Sequence, residues 1–474
     1  MARKAEHAGS TEPAFSLLGE NEVIAAIITP PGEGGIAALR IAGKRSRLLL
    51  KDRVEAEALQ NGSMPRPFQM YLGQFRDGQG EPIDEVMAVY MPEGRSYTGL
   101  DQIEIFCHGG RRVVQLILEE LLRLGARVAE PGEFTRLAFL SGRIDLSRAE
   151  AVAEIINANT EYSFRAAREH LLGAYSDHIR HLRERLVDVI AEVEASIDYP
   201  EEEISPASRS EQLGILDEVV GSIVRLVGSY DGGRIIKEGF RVAIAGRPNA
   251  GKSSLFNLLL RQERALVTPT AGTTRDYLSE WIDIGGFAVN IIDTAGLRQS
   301  GGAIEKAGQA SAQRIINESD LVIWIFDLSQ RDWKSKLGKD IKGLIDSRKL
   351  LLANKIDIST KPAIQGASGV GALCVSCTEQ MGMGEFHEAL MGEIKRHMPD
   401  LTDGHMVTSS RHAQKLRDAL DSLKDGRAKI EGKESPELAA FDLRQAASHI
   451  DEITGKIYNE EILGRIFSKF CIGK

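Results

Sequence analysis

The stretch that most limits what this chain can fold into is Gly246-Arg247-Pro248-Asn249-Ala250-Gly251-Lys252-Ser253. An apolar, β-branched run, Arg241 to Ala245, precedes it and reads as a buried strand. Leu255-Phe256-Asn257-Leu258-Leu259 follows and reads as a helix start. Strand, glycine-rich turn, Gly-Lys-Ser, helix is the setting of a phosphate-binding P-loop. The glycines let the backbone curl so that successive N–H groups, from Asn249 and Ala250 through Gly251 to Ser254, face phosphate oxygens. The helix dipole adds to that field. Lys252 is placed to reach the β/γ-phosphates and Ser253 to ligate Mg²⁺.

Later motifs specify the nucleotide. Asp293-Thr294-Ala295-Gly296 follows the strand-like Val289-Asn290-Ile291-Ile292. An aspartate there holds Mg²⁺ through water, and the glycine N–H faces a γ-phosphate. Asn354-Lys355-Ile356-Asp357 follows Leu350-Leu351-Leu352-Ala353. The Asp357 carboxylate matches the paired N1–H and N2 donors of guanine; adenine would leave that charge unsatisfied. Ser376 and Cys377, after Leu373-Cys374-Val375, stand where a backbone N–H meets guanine O6. In this order, each at a strand end, the motifs predict a guanine-nucleotide switch domain binding GTP.

Hydrolysis needs a group that orients water, and Leu297 occupies the place of the usual glutamine. The nearest downstream carboxylate on the predicted switch helix is Glu305, for which a solvated helix face is the other reading. No arginine finger is evident. Asn249, with the segment Gly272-Thr273-Thr274-Arg275-Asp276, offers oxygens for a monovalent cation. A cation there does a finger's electrostatic work, about 10³–10⁵ in rate.

The 474 residues predict about two to four domains, 27% of them charged and 42% hydrophobic, the balance of a globular protein. No apolar run reaches a membrane span, and the N-terminus lacks a signal-peptide core. Four cysteines without a disulfide framework fit a reducing cytoplasm. A net charge of −9 argues against nonspecific nucleic-acid coating, so any RNA contact needs a local basic patch or a partner.

The overall expectation is an α/β multidomain chain. Residues 1–20 read as a disordered tail and 21–141 as an α+β domain. Its predicted strands are Val23 to Thr29, Ile36 to Ile41, Gln69 to Phe75, Glu85 to Met91 and Gln102 to Cys107, with a helix from Val113 to Leu124. The glycine-dense loops Pro30 to Gly35 and His108-Gly109-Gly110 either admit a ligand to the backbone or are plain turns. Helical spacing marks 142–236, with a long stretch from Ser147 to Tyr199 and a second helix, roughly Ser210 to Ser229, stopping near Asp231-Gly232-Gly233. The GTPase core occupies 237–398, and 399–474 is helical again. The economical arrangement inserts a Ras-like, mostly parallel P-loop domain into a helical domain whose two parts complete one core.

Other candidates have bland alternatives. Cys471, read as lying on the last helical turn, is a possible nucleophile or a small semi-buried side chain. Cys374 and Cys377 form a lone C-x-x-C, half a zinc site at best. His108 reads as structural. Arg143, Arg148, Arg165, Arg168, Arg180, Arg183 and Arg185 are interleaved with acids and read as a solvated face. No G-x-G-x-x-G fingerprint is present, so a redox cofactor would belong to another chain.

Taken together, Thr29-Pro30-Pro31-Gly32-Glu33-Gly34-Gly35-Ile36 with Arg40, Tyr97-Thr98-Gly99 with Glu104 and His108-Gly109-Gly110, and Pro131-Gly132-Glu133-Phe134 with Arg143-Ile144-Asp145-Leu146 form a series. With the inserted GTPase core and the terminal Cys471-Ile472-Gly473-Lys474, this series resembles the MnmE (TrmE) family of tRNA-modifying GTPases over nearly the whole chain. The resemblance implies a folate-binding-like N-terminal domain that builds a homodimer. It implies a 5,10-methylene- or 5-formyl-tetrahydrofolate one-carbon donor held at Arg40, Glu104, Arg143 and Lys474. Arg143 stands where family members usually have lysine, a planar fork in place of a point charge. GTP contacts from Thr268, Pro269, Thr270, Ala271, Gly272, Thr273 and Thr274 are likewise implied. So are K⁺ on Asn249, Thr268, Thr270 and Thr273, Mg²⁺ on Ser253 and Thr274, water orientation by Glu305, and a modification role for Cys471. Thr270 replaces a more usual apolar residue, which matters little if the ligand is its backbone carbonyl. The implied reaction alkylates C5 of the wobble uridine of certain tRNAs. It is shared with an MnmG/GidA-family flavoprotein that carries FAD and NADH and completes a heterotetramer. The rival expectation is a noncatalytic GTP switch acting on rRNA or a protein partner.

Overall fold

In a computed structural model of the chain, the structure describes residues 18–19, 21–57, 64–198, 206–266, 278–294, 303–341, 349–397 and 405–474. The reading of 1–20 as disordered therefore lies almost wholly outside the described residues. The chain divides into two compact units, Met1–Ala153 with Thr454–Lys474, and Glu154–Ile453.

In the first unit, the described residues form a seven-stranded sheet in the order Val54–Glu55, Met70–Arg76, Pro82–Met91, Gln102–Gly109, Gly34–Ala42, Val23–Ile27, Ala126–Val128. The observed strands fall on those read from sequence to within a few residues. Side chains alternate between faces. Leu39, Ile41, Val86, Ala88, Ile103 and Ile105 point to one face, where the helix Arg111–Arg123 covers them with Val114, Ile117 and Leu121. On the opposite face Ile24, Ala26 and Ala42 pack with Leu100, Phe134 and Leu137. A Cβ on Gly109 would stand 2.4 Å from the Gly34 carbonyl oxygen, so strand-to-strand approach already accounts for glycine there.

The last residues depart from the sequence reading in two ways. The helix Glu460–Phe467 ends before Cys471, so that cysteine lies on an extended tail and not on a helical turn. Nor does 399–474 stay whole: Leu463, Phe467 and Phe470 bury themselves against Phe139, Leu146 and Ala149, which draws Thr454–Lys474 into the first unit. Ile472 then forms a bridge with Pro131.

In the second unit the helices before and after the GTPase core share one interior. Leu186, Val189, Leu216, Val219 and Ile223 pack with Leu416, Leu423, Leu443 and Ile450. The stretch read as one long helix is three: Leu146–Asn157, Glu161–Leu172 and Ala174–Asp198. Thr160 and Ser163 cap the second reciprocally, and Gly173, at φ 98°, ends it. The helix read from about Ser210 to Ser229 is Pro206–Gly228, and the glycines at 232–233 lie inside a further helix, Tyr230–Glu238. The arginines at 148, 168 and 180 each pair with an acid on their own or an adjacent turn, and Arg183 and Arg185 with Asp451 and Glu218.

The core itself holds a sheet in the order Leu373–Cys374, Lys349–Asn354, Leu321–Asp327, Phe240–Ala245, Phe287–Asp293, Leu278–Ile284, Arg264–Ala265. It is parallel as far as Phe287–Asp293 and antiparallel beyond. Buried strands of Val, Ile and Leu with helices on their faces are what a parallel sheet requires.

Candidate functional site

The strand Phe240–Ala245 runs into the P-loop at the centre of the sheet, and the helix Lys252–Gln262 begins immediately after it. Gly251 sits at φ 106°, and a Cβ there would stand 2.1 Å from Asn354 Nδ2. Glycine is required on both counts. Asn249 adopts the left-handed region, φ 61°, which a short amide side chain tolerates. The Lys252 ammonium, nearly buried, donates to the Gly246 and Arg247 carbonyls at 3.0 and 2.9 Å. It is thus held inside the loop through which phosphates are bound.

Ser253 Oγ donates to Asp293 Oδ2 at 3.0 Å, and Asp293 is fully buried at the end of its strand. A hydroxyl and a buried carboxylate at hydrogen-bond distance form a hard-oxygen pair suited to Mg²⁺. The hydroxyl of Thr294 donates to the Ile244 carbonyl at 2.9 Å, which makes it a strut between strands. Asn354 joins the phosphate and base ends. Its Nδ2 donates to Ala250 O at 2.9 Å, and its Oδ1 accepts from the Cys377 N–H at 3.1 Å. Asp357 is exposed beside it, open to a base. The Lys355 ammonium is drawn to Asp327 at 2.7 Å. Burial pushes the Asp327 carboxyl up, and hydrogen bonds from Lys355 and Ser329 more than reverse it, so it stays anionic.

The Ser376 N–H, expected to meet guanine O6, donates to Met381 O at 3.0 Å in a small bridge. Cys377 gives its N–H to Asn354, and burial pushes its thiol up to about 11. Cys374 and Cys377 are both free thiols, and no metal-holding group of His, Cys, Asp or Glu occurs among the described residues. Thr268, Pro269, Thr270, Ala271, Gly272, Thr273, Thr274, Ala295 and Gly296 lie outside the described residues. Glu305 falls in the helix Ala303–Glu318, but its side chain lies outside them too.

The first unit gathers a second constellation. Arg40 and Glu104 are cross-strand neighbours, joined by hydrogen bonds of 2.9 and 2.8 Å. The Arg40 guanidinium lies 5.0 Å from the Tyr97 ring centre and 5.5 Å from that of Phe134. Gln102 donates to the same Glu104 oxygen at 3.2 Å. The Phe134 N–H donates to Lys474 O at 3.0 Å, which sets the chain terminus beside this group. Arg143 donates to the Gly94 carbonyl at 3.1 Å, on the turn that precedes Tyr97. Cys471 is exposed on the tail, and its carbonyl accepts from the Gly132 N–H at 3.4 Å. A charged pair flanked by two aromatic rings, with the Arg143 guanidinium on the neighbouring turn, suits a flat, polar ligand. Tyr97 and Phe134 were quoted as motif residues but not assigned a role, because nothing in spacing tells that their rings flank Arg40. His108, expected to be structural, is exposed and pairs with Asp84 at 2.7 Å, and that carboxylate raises its pKa.

A parallel sheet with this P-loop, a buried Asp at the metal position and an Asn-Lys-x-Asp base loop defines a P-loop guanine-nucleotide-binding protein whose nucleotide domain is set within a helical body. The chain belongs to the MnmE family of tRNA modification GTPases. Residues 146–471 match the MnmE helical domain, and residues 23–143 match the N-terminus of the GTP-binding protein TrmE. The tRNA modification GTPase MnmE of Aquifex aeolicus is 38% identical over 96% of this chain and 100% of its own length. That of Symbiobacterium thermophilum is 39% identical over 96% of this chain and 99% of its own. Among solved structures, the G domain of the T. maritima FeoB iron transporter is 23% identical, covering 33% of this chain and 98% of that one at a TM-score of 0.24. No helix of the described residues is long and apolar enough to cross a membrane.

Proposed function

We propose that this chain hydrolyses GTP and uses that cycle to modify C5 of the wobble uridine of certain tRNAs, installing a carboxymethylaminomethyl or aminomethyl group. In this reading it works as a homodimer with an MnmG/GidA-family flavoprotein, which supplies FAD and NADH. A tetrahydrofolate derivative donates the carbon at Arg40, Glu104, Arg143 and Lys474. Mg²⁺ binds Ser253 and Thr274; K⁺ binds Asn249, Thr268, Thr270 and Thr273. Bound Mg²⁺ and K⁺ supply charge stabilisation to the β/γ-phosphates. Lys252 binds phosphate, Asp357 selects guanine and Glu305 orients water. The observation that carries the reading is the double connection of Asn354, to Ala250 of the P-loop and to Cys377 of the base loop, in a chain that also holds the Arg40–Glu104 pair.

The deciding experiment incubates the protein with the flavoprotein, GTP, K⁺ and 5-formyltetrahydrofolate, then measures tRNA wobble nucleosides by mass. A modified uridine that requires all components supports the reading. GTP turnover with unmodified tRNA, and no folate binding by calorimetry, favours a noncatalytic switch instead. Within the same assay, Glu305→Ala is expected to slow hydrolysis by about 10²–10⁴ with GTP affinity nearly intact. Replacing K⁺ by Na⁺ should lower the rate, and an unchanged rate would remove the cation from the site.

A further inference from the structure

The chain leaves the helical bundle for the GTPase core along the helix Tyr230–Glu238, which runs into the P-loop strand Phe240–Ala245. It returns along residues 405–409, immediately before the helix Ser410–Glu431. These two crossings lie against each other. The Val407 carbonyl oxygen passes so near Gly233 that a Cβ there would stand 2.1 Å away, which is why a glycine sits mid-helix. The returning residues are gripped from several sides. His405 stacks on His178 with ring centres 4.4 Å apart. Met406 O bonds His170 Nε2 at 2.8 Å, and the Val407 N–H donates to Ser229 Oγ at 3.1 Å.

One carboxylate ties both crossings. Glu154 Oε1 accepts from Lys237 Nζ on the outgoing helix at 2.5 Å and from Thr408 Oγ1 on the returning segment at 3.4 Å. Its Oε2 lies 3.5 Å from His170 Nδ1. The Glu154 side chain is only 12% exposed, so these contacts are made in a weakly screened interior. His170 belongs to the helix Glu161–Leu172, whose first turn carries Tyr162. Tyr162 stacks on Phe287 at 4.2 Å and 9°. Phe287 begins the strand that ends in Asp293, the residue bonded to Ser253. The outgoing helix is fixed to the core as well: Arg234 pairs with Asp320 at 2.5 Å, and Asp320 accepts the Arg241 N–H at 2.8 Å.

We propose that Glu154 is the positioning residue through which the nucleotide state of the GTPase core is passed to the helical bundle. Its partners are Lys237, Thr408 and His170, none of them a residue assigned to GTP. Glu154 holds the outgoing helix, the returning segment and the helix that contacts the Phe287 strand as one body, so a shift of the Phe287 strand moves the bundle and not merely the linkers. A neutral amide in its place has the same shape and can still bond the His170 ring, but it lacks the charge that holds the Lys237 ammonium in this weakly screened interior. The inference rests on the reading above that hydrolysis and tRNA modification are linked.

The test compares the full chain with Glu154→Gln and Glu154→Asp. GTP hydrolysis is measured alone, modified uridine is counted per GTP hydrolysed with the flavoprotein present, and amide exchange is followed across Ser410–Glu431 with GDP and with a nonhydrolysable GTP analogue. Expected for Glu154→Gln is hydrolysis within about threefold of wild type, modification per GTP lower by about tenfold, within the ~5–150-fold span of ordinary coupling, and an exchange difference between nucleotides that disappears. Glu154→Asp should restore part of the coupling. Wild-type modification per GTP in Glu154→Gln, or a retained exchange difference, overturns the proposal. A purely structural role would lower the melting temperature and depress both activities alike, and that outcome also overturns it. Should Glu154→Gln not fold, Lys237→Met keeps the carboxylate, removes one of its partners and is judged by the same readouts. If wild-type protein makes no modified uridine, the functional reading fails, while the exchange arm still decides on Glu154.

Discussion

The two constellations of this molecule are built in opposite ways. At the nucleotide site, Gly246 to Ser253 are chain neighbours, and much of what they present is backbone: amides, a helix end, carbonyls that hold Lys252. At the Arg40 site the partners come from far apart. Arg40 and Glu104 are separated by 64 positions, and Lys474 arrives from the end of the chain. A backbone site depends on local conformation, so it survives most changes elsewhere and fails when its own φ angles fail. A side-chain site depends on the docking of remote segments, so it is vulnerable at places that never touch a ligand.

The largest expected effect falls on the first site. Lys252→Ala should reduce GTP hydrolysis by about 10³ or more, the scale of losing a positioned charge at a transferring phosphoryl group. The thermal midpoint should change far less than the rate, because the Gly246 and Arg247 carbonyls that the ammonium bonds belong to the same loop. Steady-state GTP turnover and a melting curve check this. Turnover within tenfold of wild type would mean that the loop is not a phosphate cradle. Gly251→Ala sharpens the point: with φ at 106° and Asn354 Nδ2 in the way, strain of about 1–3 kcal/mol is expected, with lost nucleotide binding. The folate binding proposed for the Arg40 site should be untouched by either change.

That contrast also explains what could be read from sequence. The P-loop, the Asp293 strand end and the Asn354 loop were legible because each motif carries its own geometry within a few residues. The Arg40–Glu104 pair was reachable only through family resemblance, since no periodicity says which strands lie side by side. Two local readings fell short. The helix from about Ser210 does stop before 231–233, but the further helix Tyr230–Glu238, whose Gly233 admits the Val407 backbone, was not legible. The C-terminal tail was read as helix because its apolar spacing is helical up to Phe470, yet Gly473, at φ 98°, and the Pro131–Ile472 bridge hold it extended. Ser376 shows a third limit: a motif names the loop but not which amide is already engaged.

The second site should yield to smaller and more distributed changes. Arg40→Ala removes a charge-assisted bond and two aromatic contacts. It should weaken 5-formyltetrahydrofolate binding by about 10–10² (roughly 1.5–3 kcal/mol) with GTP turnover unaltered. Calorimetry tests this, and unchanged affinity would place the folate elsewhere. Gly473→Ala touches no Arg40 atom, but its Cβ would meet Ile27 O at 2.4 Å. It should displace the tail and weaken folate binding by a few-fold to tenfold. If it leaves affinity intact, the chain terminus is no part of the pocket and the contrast drawn here narrows to Arg40 and Glu104.

Between these extremes stands Glu154, a side chain that binds no ligand and yet is tied by several elements. Burial alone would raise its carboxyl, but the His170 contact and the Lys237 ammonium outweigh burial and hold it at about 2, against an ordinary 4.5. A carboxylate whose folded value is depressed contributes stability that is fully present above its unfolded value and is lost as pH falls through the folded one. The window here runs from about pH 4.5 down to about 2. Within it, wild type should lose stability more steeply than Glu154→Gln by at most one proton, about 1.4 kcal/mol per pH unit. Denaturant melts at pH 5, 4 and 3.5 read the difference in slope directly. Glu22 and Asp327 are depressed in both proteins and cancel in the comparison. Parallel slopes would mean that the carboxylate is not held by His170 and Lys237 in solution, and the junction between core and bundle would then be carried by its other ties, the Gly233–Val407 crossing, the Arg234–Asp320 pair and the Tyr162–Phe287 stack.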